Sequence, residues 1–301
     1  MASIGALYRY PVKSMLGERL DAATVTPSGI LGDRAFAVVD DRDGTVASAK
    51  QPRKWARLLE VQAAFVDEPT GDAGAAGPPP VRLTLPDGTE LRTDGPDAAA
   101  TLGRFIGRDV RIVSEAPASA TFEEVWPDID GLAPAEFIAS TEATREPTGE
   151  PVSAITLSMA APGMFFDVAA LHLLTTSTLS ELARLDGDGS FDVRRYRPNV
   201  LIDTDDGVGF VENEWPAGSS IGLGEAASAT VMIPTMRCVM TTLAQGPSAG
   251  GTALPTDRGT LQSIARHNRV EIPGMGTWAC AGVYAAVAAG GPVRTGDPVT
   301  I

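Results

Sequence analysis

Arg237-Cys238 puts a fixed positive charge beside one of only two thiols in the chain, inside the stretch PTMRCVMTTL from Pro234 to Leu243. If the two side chains share a pocket, the charge favours the thiolate, which is both a nucleophile and a soft metal ligand. Neighbours along a strand point to opposite faces, so adjacency alone does not bring the groups together. On residue type alone, the competing reading is a packed core thiol. Cys280, among the small residues of WACAGVY, reads as core.

Three further places collect groups that bind anions. Lys13 and Ser14 lie in PVKS and are followed by Gly32-Asp33-Arg34. Thr175, Thr176 and Ser177 come immediately before a helical stretch, where unpaired backbone N–H groups and the helix dipole can receive a phosphate. Their competing reading is a plain helix cap. Arg197 and Asn199 lie in RRYRPN, where a guanidinium can grip a phosphate in bidentate fashion and Pro198 stiffens the approach to the next strand. Alone, such an arginine reads as a solvated surface charge. The G-x-S-x-G match at Gly218 to Gly222 lacks the strand before and helix after that a nucleophile elbow requires. His172 and His267 have no metal-ligand spacing and read as structural.

The elements that must position these groups are mostly strands. Short β-type runs such as IGALYRYPV, RAFAVVD, LLEVQAAFV and VRLTLPDGTELRT occupy residues 1–115, with Asp43-Gly44 and Asp87-Gly88 as hairpin signals and a short helix near DAAATLGRFIG. Asp67 to Pro80, rich in Gly, Pro and Ala, reads as an exposed loop. Residues 116–151 read as an irregular connection between two halves, and 152–301 as the second. There, Thr178 with Glu181 suggests a capping box for a helix from about Leu179 to Leu185. NVLIDT, ATVMIPT and VMTTLA follow, then a helical TLQSIARHN and a last strand at DPVTI.

The 301 residues suit one large domain or two joined ones. Lys plus Arg number 24 against 38 Asp plus Glu, a net charge of −14, which disfavours nucleic acid and anionic membrane as partners. No signal-like segment and no uninterrupted apolar run of about 18 residues is visible, so the expected location is cytoplasmic. Two cysteines and two histidines at unrelated places cannot assemble an iron–sulfur cluster.

In order and spacing, YPVKS, GDRAFAVVD, ASAKQPR, LLTTSTLSEL, RYRPNVLID, FVENEW, IGLGE, RCVMTTL, GVYAAV and GDPV resemble the MOSC family over nearly the whole chain. Within it, the chain is similar to the two-part proteins with a MOSC N-terminal β-barrel domain, such as the mitochondrial amidoxime-reducing components and their bacterial counterparts. The resemblance implies a mainly β (α+β) fold, with a MOSC β-barrel domain carrying a few helices and a smaller β-rich N-terminal domain. It implies a molybdenum cofactor, with Cys238 as the protein ligand to the metal. The positions matching the family's cofactor contacts are Lys13, Ser14, Arg34, Thr175, Thr176, Ser177, Arg197 and Asn199, with Arg237 beside the ligand and Tyr284 near the site. Thr176 stands where some relatives carry an acid, so no proton-delivery role transfers to it. The implied activity is reduction of N-oxygenated compounds such as amidoximes or hydroxylamines, with electrons from a separate flavin or iron–sulfur protein. The alternatives are a noncatalytic cofactor carrier and a sulfur-transfer protein using Cys238.

Overall fold

The computed structural model describes residues 2–71, 77–117, 120–157, 164–187, 189–204, 209–248 and 251–301. A nine-stranded sheet organises it. Its main path runs through Glu18–Leu20, Ser3–Arg9, Val200–Asp203, Leu171–Thr175, Gly276–Ala289, Ala227–Met236, Ser220–Leu223 and Val299–Thr300, and Arg269–Ile272 pairs with Gly276–Ala289 from the side. The fold is mainly β with five α-helices among the described residues, an α+β arrangement.

The two halves interlock in this sheet. Ser3–Arg9 pairs antiparallel with Val200–Asp203, and Ala22–Thr26 pairs with Gly291–Arg294 near the other end of the chain. Ile4, Leu7, Val25 and Ile30 therefore pack into the same core as Leu173, Val200, Ile221 and Val283. A second core holds Val12, Met15, Trp55, Leu58, Leu83 and Leu102. The expected hairpin at Asp87-Gly88 joins Val81–Thr84 to Glu90–Arg92, and Gly88 takes the left-handed conformation the turn demands, at φ 85°. The helix near DAAATLGRFIG spans Ala98–Ile106. The Asp67–Pro80 segment joins two antiparallel strands, Gln62–Phe65 and Val81–Thr84; its residues 72–76 lie outside the described residues.

The stretch 116–151, expected as an irregular connection, carries regular elements between its loops. Thr121–Val125, Glu142–Arg145 and Pro151–Thr156 form a three-stranded sheet, with the helix Ala135–Thr141 between its first two strands in the chain. Of the five prolines in 116–151, Pro134 caps the helix and Pro151 opens a strand, where a missing N–H is tolerated, while Pro117, Pro127 and Pro147 lie in the connections between elements. VMTTLA is likewise no strand: Val239–Thr242 forms a 3-10 turn.

The helix after Leu171–Thr175 begins earlier than expected, spanning Thr176–Leu185, and its cap is Thr175, whose side chain accepts from the Thr178 N–H. The Thr178–Glu181 capping box does not form. Thr178 instead donates its hydroxyl to Glu212, and Glu181 pairs with Arg184 one turn on. This helix and the 3-10 turn Val193–Arg195 carry the chain across to Val200–Asp203, which lies parallel to Leu171–Thr175 in register Leu173↔Val200. A parallel pair needs such a crossover, and the crossover decides which loops meet. Among the described residues, no helix is long and apolar enough to cross a membrane.

Candidate functional site

One cavity of about 80 Å³ gathers most of the residues singled out by type and motif: Lys13, Ser14, Arg34, Arg197, Asn199, Arg237, Cys238 and Tyr284 all line it. Crossover polarity explains the meeting. Arg197 and Asn199 precede Val200 at the same sheet end as His172, and the Asn199 N–H donates to the His172 carbonyl (2.8 Å). Lys13 and Arg34 arrive on adjacent loops, held by Lys13 N–H to Phe36 O (2.9 Å) and Arg34 N–H to Tyr10 O (2.7 Å).

The same polarity removes Thr175, Thr176 and Ser177 from the cavity, which corrects the expectation that they bind a phosphate there. They lie at the far ends of the parallel strands, about 3.3 Å of rise per residue away from His172. Their hydroxyls are committed: Thr175 Oγ1 to Ser177 Oγ (2.8 Å) and the Thr178 N–H, Thr176 Oγ1 to Thr204 Oγ1 (3.2 Å). Thr175→Ala should therefore cost about 1 kcal/mol of stability, as lost caps do, and leave ligand retention at the cavity unchanged. Denaturant titration and ligand retention read the two effects separately.

Cys238 and Arg237 do share the pocket. The strand Ala227–Met236 is bulged against Gly276–Ala289 between Val231 and Ile233 and again between Pro234 and Met236. Such irregularities re-aim the chain at a strand end. Arg237 keeps one ladder bond, N–H to Ala279 O (2.8 Å), and Cys238 is already off the strand as the cap of Val239–Thr242. Strand alternation therefore no longer separates the two side chains. The thiol is half-buried. Its burial raises its pKa, Lys50 and Arg237 pull it down, Glu124 pushes up, and the net shift is upward. The lysine thus counts for more than the arginine beside it in sequence. Cys280 is fully buried, and burial pushes its thiol up to about 12, in keeping with a core residue.

The charge in this cavity is opposite to that of the whole chain. Lys13, Arg34, Lys50, Arg195, Arg197 and Arg237 line it, against Asp167 as the only carboxylate among the described lining residues. Asp167 pairs with both Lys13 and Lys50 (3.2 Å to the latter), and these two lysines, working against its burial, hold its carboxyl well below the usual range. Lys50 also pairs with Glu124 (3.1 Å); against its own burial, the two acids raise its pKa well above the ordinary value. Arg34 pairs with Asp33, which is fully buried. Arg197 and Arg237 have no carboxylate within ion-pair distance among the described residues. Arg197 donates to Met15 O (2.7 Å) and stacks over Tyr10 at 4.1 Å, and its burial brings it down to about 10, still charged at neutral pH. Arg237 donates to Tyr196 O (3.0 Å), and its buried Nε has no partner.

Two more features mark the cavity. His172 is buried with Nε2 unpartnered, and burial, together with nearby Arg237, holds its pKa well below the ordinary value, so the ring is neutral. Gly282 lets the long strand pass against this ring: at φ 83°, a Cβ there would sit 2.6 Å from His172 Nε2 and 2.5 Å from Leu173 O. Secondly, the non-glycine residues with left-handed backbone among the described residues are Ser14 (φ 64°), Arg34 (φ 49°) and Arg197 (φ 55°), and all three line the cavity. That conformation costs on the order of 1 kcal/mol per residue, and such strain clusters where a ligand is held.

Asn199 lines the cavity with its amide already engaged: Nδ2 donates to Asp33 Oδ2 (2.9 Å), and Oδ1 accepts from the His172 N–H (3.1 Å). It positions the Asp33–Arg34 pair. Ser14 Oγ accepts from the Ala49 N–H (3.0 Å). Lys50, Asp167, Glu124 and His172 were missed as a group. Lys50 falls in ASAKQPR, while FFDVAA carries no pattern that announces Asp167.

The cavity has two neighbours. A cleft of about 660 Å³ shares Arg197 and includes Tyr10, Arg19 and Arg194. A mostly apolar cavity of about 350 Å³ shares Lys50, Asp167, Val168, Met236, Arg237 and Tyr284. A small anionic centre in the middle cavity would have room to continue toward Arg197 on one side and to meet a second molecule on the other. Among the described residues, no group of three or more His, Cys, Asp or Glu could hold a metal ion, so a metal at Cys238 would bring its other ligands with it.

Comparison with known proteins gives two family matches. Residues 1–101 match the model described as the MOSC N-terminal beta barrel domain, and residues 161–300 match the MOSC domain. No curated protein matches the chain. Among solved structures, it is similar to the YUAD protein from Bacillus subtilis (11% identity, covering 99% of this chain and 94% of that one, TM-score 0.41). It is also similar to YiiM from Geobacillus stearothermophilus (14% identity, covering 44% and 53%, TM-score 0.29).

Proposed function

Starting from the fact that the chain belongs to the MOSC family, with its N-terminal barrel domain followed by the MOSC domain, we propose that it is a molybdenum-cofactor-dependent reductase of N-oxygenated compounds. MOSC domains are associated with proteins that bind the molybdenum cofactor. The observation that carries the reading is the meeting, in one cavity, of a thiol, six cations and the three left-handed residues.

The residues fit that group. Its phosphate and its metal centre are anionic, and Arg197 and Arg237 offer guanidinium charge not neutralised by any carboxylate within ion-pair distance among the described residues. Buried polar atoms without partners are uncommon in folded proteins, and here Arg237 Nε and His172 Nε2 are two of them. Cys238 is the one thiol in the described lining, and a metal that brings sulfur ligands of its own needs no more from the protein. Lys13, Ser14, Arg34 and Arg197 would hold the anionic part of the cofactor, Cys238 the metal, and Asn199 the geometry of Arg34 through Asp33.

When bound, the metal supplies removal of oxygen from an N–O bond; the protein supplies orientation, charge and protons. Converting N–OH to N–H with release of water consumes a pair of protons and a pair of electrons. Lys50 Nζ, kept charged by Asp167 and Glu124, holds a proton at the cavity wall next to Cys238. Tyr284, whose hydroxyl burial keeps protonated, stands on the same wall. The electrons come from a separate flavin or iron–sulfur protein.

The test needs no natural partner. Protein with full molybdenum loading, supplied with a chemical reductant, should convert an amidoxime to the amidine over many turnovers. Full loading without conversion, or release of intact cofactor to an apo-enzyme in its place, would sink the reductase reading.

A further inference from the structure

Nearly half of the lining of the apolar cavity beside Cys238 comes from a part of the chain that neither family match covers. Residues 102–160 fall between the matched stretches, and from them come Phe122, Glu124, Trp126, Phe137 and Ala154 on its wall. Trp278, from the long strand of the main sheet, completes an aromatic box: Phe137 lies edge-on to Trp278 at 4.8 Å and to Trp126 at 5.8 Å, and the two indoles are 6.0 Å apart. Trp126 and Trp278 are buried, at 5% and 2% exposure, and form the floor of the cavity, while Phe137 is half-buried beside them.

The box is held in shape. Trp126 Nε1 donates to Ser153 Oγ (2.8 Å), which also bonds Thr141 Oγ1 (2.6 Å), and Trp278 Nε1 donates to Met275 O (2.8 Å). Both indole N–H groups are thereby spent, so these rings offer surface and not hydrogen bonds. Of the charged groups of the cavity, Lys50, Asp167 and Arg237 are shared with the Cys238 cavity, and Glu124 pairs with Lys50 (3.1 Å). Its volume of about 350 Å³ falls within the roughly 300–1,000 Å³ of small-molecule sites. The result is an amphipathic slot: charged where it meets Cys238, aromatic at the other end.

We propose that this slot binds the substrate and selects for a flat, apolar, ring-bearing body attached to a small polar head, with the ring in the Trp126–Phe137–Trp278 box and the head at the Lys50 end facing Cys238. The identity of the head as an N-oxygenated group rests on the reductase reading. The selection for a ring rests on the slot alone.

Benzamidoxime and acetamidoxime carry the same head on a ring and on a methyl group. Titrated calorimetrically into the molybdenum-loaded protein, benzamidoxime should bind at least about tenfold more tightly, in line with what an apolar pocket gains from added apolar groups. Ala154 is exposed, so Ala154→Trp fills the slot without disturbing a packed core. In this variant the ratio of the two affinities, and of the two KM values, should fall about tenfold. Phe137→Ala, which opens the box, should also lower the ratio. Equal binding of the two compounds by the parent protein, or an unchanged ratio in both variants, overturns the slot assignment. Ring-selective binding without turnover leaves the slot standing and overturns the reductase reading; turnover with no ring preference does the reverse.

Discussion

Cys238→Ser leaves a folded protein that has lost its metal or its turnover. Serine is nearly isosteric, and Cys238 is half-buried at the mouth of a 3-10 turn, with its carbonyl bonded to Thr241 (N–H 3.1 Å, Oγ1 2.9 Å) regardless of the side chain. Stability should thus change little. A hydroxyl, however, is neither a thiolate nor a soft ligand. Loss of groups that merely support a ligand costs about 10–100-fold in metal affinity or activity, so loss of the ligand itself should cost at least about 100-fold. Elemental analysis alongside pterin analysis reads this out. Molybdenum or activity should fall while pterin persists through Lys13, Arg34 and Arg197. A variant with full metal and full turnover would return Cys238 to the class of packed thiols.

The second large effect belongs to Asp33. It is completely buried, accepts from the Tyr10 N–H (2.7 Å) and from Asn199 Nδ2 (2.9 Å), and pairs with Arg34. One carboxylate thus ties the N-terminal loops to the Tyr196–Asn199 turn. In Asp33→Ala, a half-buried guanidinium, an amide and a backbone N–H all lose their partner together. Breaking a buried pair in this way costs about 3–5 kcal/mol, a fall in melting temperature on the order of 10 °C for a chain of this size. Asp33→Asn, which keeps the shape and loses the charge, should fall between. A melting temperature unchanged in both variants would show that Arg34 is held by something other than this pair.

Much of the site was legible because its members lie in short, ordered motifs: PVKS, GDR, RPN and RC each carry a group that lines the cavity. What could not be read was direction. Thr175 to Ser177 look as well suited to an anion as Arg197, and only the parallel pairing of Leu171–Thr175 with Val200–Asp203 shows that they leave by the opposite end of the sheet. Lys50 and Asp167 were hidden for a related reason. A lysine and an aspartate so far apart in the chain carry no periodic signal, and their roles exist only once the loops converge. The small sheet between the family-matched stretches was missed because its strands are four to six residues long and set among prolines, while their alternation, as in Thr121–Val125 and Pro151–Thr156, is brief.

The pairing of Ser3–Arg9 with Val200–Asp203 also constrains how the molecule is made. During synthesis the first strand emerges long before its partner exists, so the central sheet cannot close co-translationally in the order in which it is written. Its unpaired edge must be kept from other chains until residue 203 has left the ribosome, and the pocket acquires Cys238 later still. Any large ligand held there can meet Cys238 only after both paired strands have been made, and the two halves expressed as separate fragments would each carry an orphaned strand.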